Sequence, residues 1–100
     1  MFEERIRQLA RSLGVDKVGF ADLSGYEDEF GISERLIRAY PRAISLGVVL
    51  LDEVIETIGP DGPSPVYAHH YRQVNALLDH AALILAKFCK QKGYRALPLP

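Results

Sequence analysis

The stretch YAHHYRQVNALLDHAALILAKFCKQKGYRALPLP, from Tyr67 to Pro100, is the longest periodic segment of the chain, and its reading decides how the rest must be arranged. Tyr71, Val74, Leu78, Ala81, Leu85 and Phe88 recur at steps of three and four. That spacing predicts one buried stripe on a helix, which Leu77, Ile84 and Cys89 widen. Between Ala81 and Ala86 the run is apolar on nearly every side, so this helix should be central and covered by more than one neighbour. Lys87, Lys90 and Lys92 crowd the last turn, where cations suit unpaired carbonyls, and Gly93 supplies a left-handed stop. Tyr94 to Leu99 then alternates like a strand, with Pro98 marking an edge or an end because it cannot donate to a ladder.

Working outward, Ser64 with Pro65 behind it suits the start of this helix. The preceding GPDGPSP, residues 59–65, is the one linker-like break. Before it, Asp52 is placed to cap a short helix over EVIETI. Residues 43–51, AISLGVVLL, are aliphatic with no polar alternation after Ser45, which predicts a strand buried on both faces at the centre of the sheet. Ser33 caps a helix carrying Leu36, Ile37 and Tyr40, and Pro41 ends it. Asp22 to Gly31 has loop chemistry with room for a helical turn, and its acid run reads as solvated surface. DKVGFA, residues 16–21, reads as a short strand, and Phe2, Ile6, Leu9 and Leu13 form the stripe of a first helix over residues 2–13 that Gly14 stops. The expected fold is therefore α/β, with α+β as the other arrangement: a small three-stranded mixed sheet packed with helices, in a single domain over residues 1–100.

One hundred residues with 48% hydrophobic and 25% charged content have the composition of an ordinary globular domain. A net charge of −1 leaves no basic field for phosphates, so direct nucleic-acid binding is not expected. No run reads as a membrane span or signal peptide. Cys89 is the single cysteine, so no internal disulfide, iron–sulfur cluster or thiolate zinc site can be assembled from this chain alone, and a cytoplasmic location is expected. The ending on LPLP directly after a strand pattern looks like a cut in a longer chain.

The compact polar constellation lies at the start of the long helix. Tyr67, Tyr71, Asn75 and Asp79 are four apart in turn and so run up one face. Such a line can hydrogen-bond a polar ligand, or it can be a core edge whose hydroxyls, amide and carboxylate meet water and loop backbone. Adjacent His69 and His70 project about 100° apart, and His80 lies about 15 Å further along the axis from His70, so no metal site is expected from them. Cys89 beside Phe88 reads as packing, and GPDGP lacks the lysine and hydroxyl of a phosphate loop. No catalytic residue emerges.

Three segments taken together resemble the N-terminal region of the epoxyqueuosine-reductase-like proteins, corrinoid-using enzymes with a double [4Fe-4S] cluster domain. They are LGVDKVGFADL at Leu13–Leu23, YPRAISLGVVL at Tyr40–Leu50, and the stretch from Tyr67 onward, where Tyr67, His70, Tyr71, Asn75, Leu78, Asp79, Gly93, Tyr94, Ala96 and Pro98 carry the pattern. The resemblance implies the first part of a nitroreductase-like, cobalamin-binding domain, with Tyr67, His70, Tyr71 and Asn75 near the corrinoid. It also implies that the clusters sit on cysteines further downstream, absent here. The chain would then be the N-terminal fragment of an iron–sulfur oxidoreductase, not catalytic by itself, with the downstream iron–sulfur domain as its partner. The alternative is a small non-enzymatic ligand-binding or protein-interaction module. Because the long helix has more apolar surface than its neighbours can cover, Leu83 or Ile84 should face outward, and a homo-oligomer is expected for the chain on its own.

Overall fold

A computed structural model describes residues 1–26 and 33–100. Among the described residues, four helices and two strands follow in the order α1 (Phe2–Ser12), β1 (Lys17–Asp22), α2 (Glu34–Ala39), β2 (Arg42–Gly47), α3 (Asp52–Ile55) and α4 (Pro65–Gln91). The fold is mixed α+β, built on a two-stranded antiparallel sheet and the long C-terminal helix. Of the segment expected as a loop with a helical turn, residues 27–32 lie outside the described residues.

Local chemistry places the helix ends. The Ser64 hydroxyl accepts from the Tyr67 amide at 3.0 Å, with Pro65 in the first helical position, and Ser33 does the same for Leu36 at 3.2 Å. Both α1 and α4 end in the same way. Gly14 and Gly93 take φ of +94° and +91°. Past them the Val15 amide donates to Ala10 O and the Tyr94 amide to Cys89 O, each at 3.0 Å, while each glycine amide donates to the carbonyl three residues back. These are Schellman closures, which satisfy carbonyls the helix leaves free and turn the next side chain onto the helix. Val15 is thereby buried, and the Tyr94 ring is brought to 4.9 Å from Phe2, which also stacks on Phe88 at 5.8 Å.

The core lies between α1 and α4. Ile6, Ala10 and Val15 meet Ala81, Leu85 and Cys89, and Val18, Phe20 and Leu46 of the sheet close the cluster from one side. Alanine at Ala10 and Ala81, both wholly buried, suits a close approach of the two helices. α4 packs on α1, α3 and β2, and within its apolar run Ala81 and Leu85 are buried while Leu83 is half exposed.

The expected third strand is a correction. β1 pairs with β2 from Lys17↔Gly47 to Asp22↔Arg42, and residues 94–99 form no ladder. The physical reason lies at both ends of that segment: Pro98 and Pro100 have no amide to donate, and Tyr94 and Arg95 are already engaged by Cys89 O and by Tyr40. The alternation of residues 94–99 still has a packing meaning, since Ala96 lies against the core.

The central strand is corrected as well. β2 stops at Gly47, Ile44 is 37% exposed, and residues 48–51 run on outside any strand with Val49 and Leu51 exposed. An uninterrupted aliphatic run suits a doubly covered strand, but among the described residues this run pairs only as far as Gly47, and Ile44, Val49 and Leu51 keep much of their surface in solvent. Two smaller expectations also change. Asp52 is the first residue of α3 and Leu51 holds the cap position without a side-chain bond. Tyr71, assigned to the buried stripe, is 57% exposed because the first turns of α4 extend beyond α1. Leu83, at 50% exposure, faces outward as expected.

Candidate functional site

Two depressions in the described surface bring polar groups together. The larger, a groove of about 1440 Å³, is open along one side and lies between α4, the sheet, α2 and the C-terminal segment. Leu78, Ala82, Leu85 and Ala86 of α4 form its floor, the sheet contributes Phe20, Ala43 and Ile44, and Ile37 of α2 lies buried at its side. Its polar groups come from elements far apart in the chain, among them Asn75 and Asp79 from α4, Arg42 from β2 and Arg95 from the tail.

Arg95 ties the tail to α2. Its guanidinium lies 5.2 Å from the centre of the Tyr40 ring and donates to the Tyr40 hydroxyl at 3.3 Å. At the end of β1, Asp22 accepts from the Ser24 amide at 3.0 Å, and that bond holds its carboxyl below the usual carboxylate range. Arg7 of α1 sits over the Phe20 ring at 4.8 Å. The Cys89 thiol borders the groove but is buried, and loss of hydration pushes it above the ordinary thiol range.

The smaller depression, about 670 Å³, lies on another part of the surface, where the loop after β2 meets α4. His70 anchors it: Nε2 accepts from the Leu51 amide at 3.3 Å, which requires the neutral ring. Asp16 steadies the same loop, accepting from the Val49 amide at 2.7 Å. Both bonds satisfy backbone donors that the end of β2 leaves free.

The four residues expected to line one ligand site are therefore divided. Tyr67 and Tyr71 form a tilted ring pair at 6.4 Å. Asn75 donates from Nδ2 to Tyr71 O at 2.8 Å and borders the larger groove, with Oδ1 as the group it can offer a ligand. His70 borders the smaller depression and is occupied by backbone. Asn75 and His70 border different depressions, and neither depression is lined by Tyr67 or Tyr71. Asp79 does reach the larger groove, as helical spacing from Asn75 requires. His69 and His80 are exposed, and no group of three metal-binding side chains is assembled among the described residues. Tyr40, Arg42 and Arg95 were missed by reading the sequence. Tyr40 and Arg95 are 55 positions apart, and nothing local marks them as a pair.

Comparison with protein-family models, with curated proteins and with solved structures finds no match to this chain. No helix among the described residues is long and apolar enough to cross a membrane.

Burial of Cys89 has a measurable consequence. Its folded value lies above its unfolded one, so the stability it contributes is fully present below the ordinary thiol range and is lost as pH rises through the raised folded value. At neutral pH, alkylation by iodoacetamide should be much slower for the native chain than for the chain in denaturant. Equal rates in the two conditions would place the thiol at the surface.

Proposed function

We propose that this chain is the corrinoid-proximal N-terminal portion of a cytoplasmic, epoxyqueuosine-reductase-like iron–sulfur oxidoreductase, and that it is not catalytic alone. The resemblance of the three segments suggests the family, and the larger groove is the observation that carries the reading. At about 1440 Å³ it exceeds the ~300–1,000 Å³ of most small-molecule pockets. It is walled by apolar side chains, and it is open, as one wall of a site completed by further protein would be. The reading places a cobalamin there, with Asn75 as the one of the four expected residues that reaches it. His70, Tyr67 and Tyr71 then act in folding, His70 through the loop it holds.

A bound corrinoid would supply the cobalt chemistry of reduction, and the electrons would come from clusters held by another part of the parent protein. The residues of this chain would contribute shape, apolar cover and hydrogen bonds at the macrocycle's edge. With one cysteine they cannot hold the clusters themselves.

Titrating hydroxocobalamin into the chain tests the proposal. Saturable change in the corrinoid's visible spectrum, together with a rise in the thermal midpoint that Ala82→Trp abolishes, is the expected result. An unchanged spectrum and midpoint at millimolar corrinoid would leave the non-enzymatic ligand-binding or interaction module as the better reading. That second reading has the exposed apolar residues of the groove in its favour.

A further inference from the structure

The chain exposes 7503 Å² of surface, against about 5,700 Å² expected for a compact monomer of 11.2 kDa. The excess is roughly 1,800 Å², within the ~1,000–2,500 Å² that each partner of an obligate dimer buries. Its shape agrees. The radius of gyration is 16.1 Å, where about 13 Å is usual for 100 residues, and the Cα positions extend only 16 Å along the shortest axis. A helix with its side chains is itself about 10–12 Å across. The core therefore has one layer on one side, and the groove is its uncovered face.

We propose that a second copy of this chain covers that face, in a two-fold dimer closed through the groove. Three apolar residues bordering it, Ile44, Leu97 and Leu99, are 37%, 47% and 53% exposed, which suits them to burial against another apolar surface. The charges around the groove decide which surface. Four acids, Glu3, Glu4, Asp22 and Asp79, stand among three bases, Arg7, Arg42 and Arg95, so the field is mixed in sign. A membrane surface or a nucleic acid selects a field of one sign, which this groove lacks. A two-fold pairing brings each patch against its own copy, and a patch of mixed charge can place its acids opposite its bases.

The inference follows from surface area and charge and does not depend on the corrinoid. Sedimentation equilibrium of the 100-residue chain tests it. A mass of twice 11.2 kDa is expected at micromolar concentration. Ile44→Lys and Leu97→Asp should each raise the dissociation constant by about tenfold or more. Leu97 lies in the tail, outside helices and sheet, so its variant keeps the helical circular-dichroism signal. Leu83→Asp, an exposed position away from the groove, should leave the dimer intact. A monomer at high micromolar concentration overturns the proposal, as does dissociation by Leu83→Asp with Ile44→Lys and Leu97→Asp still paired. Hydroxocobalamin separates the two proposals: a corrinoid in the groove must drive the dimer apart, while a dimer indifferent to it removes the corrinoid from the groove and leaves the pairing standing.

Discussion

Leu85→Ala is expected to lower the free energy of unfolding by about 2–5 kcal/mol, read as a shift of the urea midpoint at unchanged slope. Leu85 is 3% exposed and sits where α4 meets Ile6, Ala10 and Val15, so the deleted carbons leave a cavity that rigid helices on both sides cannot fill. Domains of this size have about 5–15 kcal/mol in all, which makes the loss a large share of the total. Leu78 belongs to the same stripe by spacing but is half-buried at the open groove, and its truncation should cost less. Leu83→Ala, at an exposed position, should stay within about 0.5 kcal/mol of wild type. Coincident midpoints for Leu85→Ala and wild type would mean that the core does not lie between α1 and α4.

Ala81→Asp should be more damaging still. Ala81 has no exposed surface, and among the described residues no buried polar or charged group is available in the core to pair with a carboxylate. An ionised group placed there without a partner costs several kcal/mol, enough to unfold a marginal domain at neutral pH. The pH dependence identifies the cause. Burial raises the folded value of the new carboxyl above its unfolded value of about 3.9, so the penalty is smallest below that value and grows as pH rises through it. Circular dichroism should therefore show Ala81→Asp closest to wild type in mild acid, with the gap widening towards neutrality. A gap independent of pH would point to volume as the cause and not charge. Ala81→Ser, nearly isosteric and uncharged, serves as the comparison and should retain the fold.

The candidate site was only partly legible before the fold was known. Helical spacing places Asn75 and Asp79 one turn apart, and both border the larger groove. The same spacing groups Tyr67 and Tyr71 with them, yet those rings pair with each other at the overhanging start of α4. His70 carries no signal that it will be held by the amide of Leu51, because that contact depends on where the loop after β2 runs. The groove's other polar groups, Arg42 and Arg95, come from a strand edge and a tail with no periodic relation to α4.

Helices were settled by chemistry within a few residues. Ser33 and Ser64 satisfy their own first-turn amides, Pro65 suits the position it holds, and Gly14 and Gly93 adopt the positive φ that Schellman closure needs. These devices require no distant partner, so α1, α2 and α4 begin and end close to where the sequence puts them. The sheet and the grooves belong to the tertiary structure. AISLGVVLL is compatible with a doubly covered central strand, and YRALPL with an edge strand, but neither pattern states whether a neighbour arrives. Among the described residues β2 pairs with β1 alone, while the tail is claimed by Cys89 O, Tyr40 and the core. Strand pairing is a contest among non-local partners whose outcome depends on loop paths and competing contacts, and alternation along one segment records none of these.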